Sequence, residues 1–206
     1  MAFHPVTAAP PIKIARFARN HVRGDQKQWS DNQNFTENLF ALGRAHHSLK
    51  IIHKEKLNCD FKIVGNIDKF NLSSVSKKDL KYFLKNKNNT YEKFKYDVRK
   101  ILYWSNCVVL PSYREGTPRG LLEALSVGRP IITTNAVGCR EVVLNNKNGF
   151  TSKVKNVDSL YKVIKKFHLL NSENKKKMSF FARFFVVKKF NDQKVIRIYN
   201  SIINEK

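Results

Sequence analysis

The apolar run Cys107 to Leu110, the glycine-bearing loop Pro111 to Thr117 and the helical pattern from Pro118 constrain the fold of this chain more than any other feature in it. A short apolar run bounded by turn residues reads as a buried strand. Proline favours the first helical position, because the N–H it lacks would have no partner there. The segment is therefore a strand, a tight loop and a helix over Pro118 to Val127. A helix that begins at the end of a strand turns its first backbone N–H groups toward the space above the strand, where an anion such as phosphate suits them. Two carboxylates flank that position: Glu115 in the loop and Glu123 inside the helix, with seven residues between them.

The rest of the chain alternates in the same manner. Phe61 to Gly65 reads as a strand, Ser76 to Lys85 as a helix with Ser76 and Asp79 as a capping pair, and Thr90 to Phe94 as a short strand. Asp97 to Trp104 reads as a helix with Asp97 as its N-cap, Pro130 to Thr134 as a strand, and Arg140 to Leu144 as a helical turn. Phe150 and Thr151 form an edge strand, Val157 to Leu169 a helix capped near Asn156, and two helices over 172–188 and 191–204 close the chain. This alternation predicts a doubly wound α/β domain with a parallel sheet and additional C-terminal helices. Ligands of such sheets bind outside the carboxyl ends of the strands. Gly65, Ser112 to Gly116, Asn135 to Gly138 and Asn148 to Gly149 are accordingly expected to converge on one rim.

Composition changes near residue 49, where alanine, arginine, glutamine and histidine give way to lysine, asparagine and isoleucine. Residues 1 to 34, with Pro5, Pro10, Pro11 and a polar run from Gln26 to Asn34, show no sustained period and read as poorly ordered. A helix is expected over Phe35 to Lys56. The boundary falls between an atypical segment, 1 to 48, and a folded domain, 49 to 206. At 206 residues the chain has room for one such core but not two. Cys59, Cys107 and Cys139 are widely spaced without a C-x-x-C pair, which favours a reduced, cytoplasmic chain, and Cys107 and Cys139 read as packing residues. No run approaches the roughly eighteen apolar residues of a membrane span. His46, His47 and His53 have no acidic or cysteine partner at ligand spacing, so no metal is expected.

The formal net charge is +23. The lysines are dispersed and accompany no helix-turn-helix, RNP, KH or zinc-finger pattern, which argues against nucleic acid as a partner. Lys162, Lys165, Lys166, Lys175, Lys176, Lys177, Lys188 and Lys189 crowd the C-terminal third. Attraction to the anionic inner face of a membrane and ordinary solvation of helix surfaces both account for them.

The context from Pro111 to Arg119, with Glu115 and Glu123, resembles the E-x7-E signature of retaining glycosyltransferases of family 4. Gly128 to Asn135, Val137 to Val143 and Asn148 to Phe150 resemble successive strand ends and loops of that family's C-terminal, donor-binding domain, and Phe61 to Asn66 and Asp97 to Leu102 fall into the same pattern. The resemblance covers residues 49 to 206. It implies one half of a GT-B fold whose rim binds a nucleotide sugar as substrate, with no cofactor and, in the absence of a D-x-D, no metal. By resemblance, Glu115 stands by the donor sugar and favours an oxocarbenium-like transition state, and Glu123 accepts hydrogen bonds from the ribose hydroxyls. Ser112, Gly116, Thr117, Pro118, Leu122 and Gly65 complete the donor site, with the N–H groups of Gly116 and Thr117 meeting the diphosphate. Arg114 and Arg119 read equally as phosphate ligands or surface cations, and Gly120 as a packing residue.

The implied activity is transfer of a sugar from a nucleotide donor to a glycan or lipid-linked acceptor in surface-polysaccharide assembly. The acceptor half is not visible, so the resemblance implies a truncated transferase or a non-catalytic donor-binding subunit or remnant. Either would look for a partner with an acceptor domain, or self-associate. The family also places an arginine and a lysine about one strand and one helix before the segment matching Phe61. No counterpart is recognisable, since Gly43–Arg44 stands too close to Phe61.

Overall fold

Strand β4 (Cys107–Leu110) and strand β5 (Ile131–Thr134) run side by side, and all of their side chains but the partly exposed Leu110 are buried. The computed structural model describes residues 12–17, 59–65, 77–93, 95, 97–190 and 192–204. Around that pair are β1 (Ile12–Phe17), β2 (Cys59–Val64), β3 (Asn89–Glu92) and β6 (Gly149–Ser152). They form one six-stranded sheet in the order β3-β2-β1-β4-β5-β6, with every neighbouring pair parallel. The helices are α1 (Lys77–Phe83), α2 (Arg99–Trp104), α3 (Arg119–Ser126), α4 (Val157–Leu169), α5 (Ser172–Lys189) and α6 (Asp192–Asn204).

Successive strand residues point to opposite faces, and both faces are covered. Phe61, Cys107, Val109 and Ile132 pack with Leu160, Ile164 and Phe167 of α4. Val64, Val108 and Ile131 pack with Ile101 and Leu102 of α2, Leu121 and Leu125 of α3, and Ala182 and Phe185 of α5. A sheet buried on both sides needs apolar residues at consecutive strand positions, which is why β4 reads as a continuous run; in β5 the isoleucines Ile131 and Ile132 are followed by Thr133 and Thr134, whose buried hydroxyls find backbone acceptors. This is the doubly wound, Rossmann-like architecture that the alternation predicts.

Local signals set the helix ends. Asn156 accepts the Ser159 N–H at 2.7 Å and Asn171 that of Asn174 at 2.8 Å, capping α4 and α5. At the far end of α3, Gly128 has φ 72°, and its N–H and that of Arg129 return to Leu125 and Ala124 in a left-handed stop. Ser179 of α5 donates to the Gly128 carbonyl and Arg183 to that of Ser126, so α5 seats on this stop. The Arg129 guanidinium donates to the carbonyls of Leu102 and Tyr103, both at 2.9 Å, closing the end of α2.

Some expectations need correction, and others fall outside the described residues. Residues 12–17 do not belong to a structureless segment: β1 lies between β2 and β4, in register from Ile12↔Cys59 to Phe17↔Val64 and at Ile14↔Cys107. Its place in the sheet is set by its two neighbours, which lie far along the sequence. The rest of 1–48, the helix expected over 35–56 and the Ser76 cap lie outside the described residues. The N-cap of α2 is Val98, not Asp97. Asp97 instead accepts the Arg99 N–H at 3.0 Å and clasps its guanidinium, which holds the Asp97 carboxyl down to about 2.

Asn148 and Gly149 stand at the amino end of β6, where Gly149 pairs with Ile131, the first residue of β5. They are therefore on the rim opposite the other loops. Asn148 is a buried brace: its amide donates to Val142 O at 3.0 Å and accepts the Leu144 N–H at 2.7 Å. A Cβ on Gly149 would lie 1.9 Å from the Ile131 carbonyl oxygen, so the close approach of β6 to β5 requires glycine.

Candidate functional site

The strand order reverses between β1 and β4, and the crevice above such a switch point is where open α/β sheets bind ligands. The loop that rises from β4 at this point is built from its buried side outward. Ser112 is buried, and its hydroxyl donates to Glu115 Oε1 at 2.8 Å. Its carbonyl in turn accepts the Thr134 hydroxyl from the end of β5, while Thr133 donates to Leu110 O at 2.6 Å. The Glu115 carboxylate is thus held by a hydroxyl whose own backbone is tied to the neighbouring strand.

The loop after β5 closes on the same structure. The Glu115 N–H donates to Val137 O at 3.1 Å. Gly138, at φ 82°, lies so close that a Cβ there would be 1.8 Å from Gly116 O and 2.1 Å from Glu115 O. A Cβ on Gly116, by contrast, would meet nothing within 4 Å. Glu115 is partly buried, and Gly116 and Thr117 are exposed.

Pro118 is buried and holds the N-cap position of α3, one place earlier than expected, and its carbonyl accepts the N–H groups of Leu121 and Leu122. The first N–H groups of a helix have no acceptor within it, so the start of α3 offers donors beside Thr117. Leu122 and Glu123 follow on this helix, both partly buried. Gly65 ends β2 on the same edge of the sheet, across β1, with φ 148°, its N–H on Glu92 O at 3.0 Å and its carbonyl accepting the Tyr91 hydroxyl at 2.7 Å. Arg114 and Arg119 are exposed.

Cys139 is fully buried beside this loop. Burial, with a smaller contribution from the nearby Glu115, pushes its thiol up to about 11 against hydrogen bonds from Thr133 and Thr134. Burial also raises the Cys107 thiol, and that of Cys59 to about 11. All three stay protonated at neutral pH and act as packing groups. Among the described residues, no three His, Cys, Asp or Glu side chains gather as a metal site.

The structure therefore gathers Ser112, Glu115 and Gly116 with Val137 and Gly138, continues through Thr117, Pro118, Leu122 and Glu123, sets Gly65 farther along the edge, and leaves out Asn148 and Gly149. Sequence reasoning missed two contributors. Thr134 pins the loop, which only the strand pairing reveals. β1 supplies the strand expected ahead of β2, with Arg16 paired to Ile63 one residue from its carboxyl end. The signal was present in Ile12–Lys13–Ile14, an alternation directly after Pro10–Pro11.

The profile of the family described as "Glycosyl transferases group 1" matches residues 36–183. The chain is 32% identical over 159 residues to N,N'-diacetylbacillosaminyl-diphospho-undecaprenol alpha-1,3-N-acetylgalactosaminyltransferase of Campylobacter jejuni, covering 72% of this chain and 41% of that protein. It is 27% identical over 163 residues to the capsular polysaccharide biosynthesis glycosyltransferase CapM of Staphylococcus aureus, covering 77% and 42%. The chain thus spans less than half the length of these relatives. Its fold is similar to that of Anabaena HepE in complex with UDP, with a TM-score of 0.71 at 14% identity over 95% of this chain and 49% of that one.

Proposed function

Since the chain belongs to the group 1 glycosyl transferases, we propose that its sheet and rim form the C-terminal, donor-binding half of a retaining GT-B transferase of family 4. The substrate is a nucleotide sugar. The N–H groups of Gly116, Thr117 and the first turn of α3 receive the diphosphate, where the helix end stabilises negative charge on the leaving group. Glu123 accepts hydrogen bonds from the ribose hydroxyls. Glu115 stands by the donor sugar and favours the positive charge that develops at its anomeric carbon. No metal enters the reaction.

The acceptor is a lipid-linked glycan, the class carried in the name of the Campylobacter relative, and the product belongs to surface-polysaccharide assembly. A second domain binds this acceptor. The cleft between the two domains excludes water and places the attacking hydroxyl against the donor.

The observation that carries this reading is the Glu115 carboxylate anchored by the buried Ser112 hydroxyl above the switch point. Titration calorimetry with UDP, GDP and ADP tests it. One of the three is expected to bind, and Glu123→Ala to weaken it by about 1.5 to 3 kcal/mol, the scale of hydrogen bonds to a charged group. Unchanged affinity in that variant would remove Glu123 from the ribose.

A further inference from the structure

Helix α5 is apolar on two opposite sides. Its inner side carries Met178, Ala182, Phe185 and Val186, all buried. The outer side carries Phe180, Phe184 and Val187, which are 76%, 51% and 53% exposed. At 3.6 residues per turn these three fall on one ridge. Lys176 and Arg183 lie along one flank of it, and Lys177 and Lys188 along the other. All four are exposed; the Arg183 guanidinium also donates to the Ser126 carbonyl, and the Lys188 ammonium sits 5.8 Å from the Phe184 ring centroid. The helix holds six basic residues and a single acidic one, Glu173, which is paired to Lys177 at 2.7 Å.

We infer that this outer face of α5 docks the protein against an anionic lipid surface. An apolar ridge with basic residues on both flanks is what a helix needs to lie in a membrane interface. The aromatic side chains enter the boundary between head groups and acyl chains, and the cations meet lipid phosphates. Long basic side chains can reach up to the head groups while their stems remain beside the ridge. The helix lies on the surface, because none of the described helices is long and apolar enough to cross a membrane. A second copy is the poorer occupant: it would bring two such basic faces together across a contact with only Glu173 to offset them. The inner side of α5 stays committed to α3 and the sheet, so docking needs no refolding.

The lysine count alone left membrane attraction and solvation equally open. The exposed aromatic ridge separates them, because solvation does not require phenylalanine at 180 and 184. The experiment is flotation of the full chain with vesicles of phosphatidylcholine alone and with about 30% phosphatidylglycerol added, at physiological ionic strength. The chain is expected to float with the anionic vesicles and not with the neutral ones. In Lys176→Gln, Lys177→Gln and Lys188→Gln, each neutralised cation should lower partitioning about fivefold. The pair Phe180→Ser and Phe184→Ser should lower it about tenfold or more with the charge unchanged. Because both phenylalanines are exposed, this pair should keep the parent unfolding midpoint. Should it not, Val187→Trp provides a second reading: its emission should shift to the blue on anionic vesicles. Undiminished flotation of the serine pair, or no shift in Val187→Trp, would reduce the interaction to general charge and overturn the inference. So would a dimer of the parent that the serine pair dissolves, since it would give the ridge to a second copy.

Discussion

A chain that begins at Leu49 is expected not to fold. Such a chain would keep all of the sequence that first reads as the domain, yet it would lack β1, which pairs with β2 along six positions and with β4 at Ile14 and Ala15. Without it the sheet falls into two parts, and the facing edges of β2 and β4 are left with unpaired backbone groups between buried side chains. Each buried group without a partner costs about 1 to 3 kcal/mol, and a domain has only about 5 to 15 kcal/mol to lose. Circular dichroism and denaturant titration should show no cooperative transition for 49–206. A chain that begins at Pro11 should keep one. A cooperative transition of 49–206 at the midpoint of the full chain would remove β1 from the sheet.

Gly138→Ala is expected to abolish donor binding while leaving a weakened fold. Its φ of 82° disfavours any residue with a Cβ, and that Cβ would stand 1.8 and 2.1 Å from two carbonyl oxygens of the Glu115 loop. The left-handed conformation costs about 1 to 2 kcal/mol and the forced separation about 1 to 3 more. Relief comes only by driving the two loops apart, which breaks the hydrogen bond from Glu115 N–H to Val137 O. Gly116→Ala is the control for the fold alone, because its Cβ enters open space, and it should keep the parent unfolding midpoint. Thermal unfolding should separate the two variants, and calorimetry with the nucleoside diphosphate that binds the parent checks the loss of binding in Gly138→Ala. Equal behaviour would mean that Gly138 does not shape the loop.

The sequence was most legible where the signal is local. β4 is a continuous apolar run because both of its faces are buried, and α4 begins where Asn156 can reach the Ser159 N–H. The motif around Glu115 and Glu123 is likewise contained within one loop and one helix. What could not be read depends on partners distant in sequence. β1 acquires its place from Cys59 to Val64 and from Cys107 and Val108, none of which its own residues announce. Asn148 and Gly149 look like a turn at a strand end, and they are one, but which end depends on the pairing of Gly149 with Ile131. The tie from Thr134 to Ser112 joins two strand ends and leaves no trace in the spacing of either. Asp97 has the residue type of a helix cap, and the adjacent Arg99 guanidinium draws it into an ion pair instead.

That tie from Thr134 to Ser112 also bears on kinetics. Together with Gly138 it locks the Glu115 loop to two strands before any ligand arrives, so the conformational entropy of ordering the loop is already lost when the domain folds. A ligand entering here meets donors and acceptors in their final places. Its capture is then governed by diffusion and orientation rather than by loop closure, and any large motion that accompanies binding must lie outside this loop.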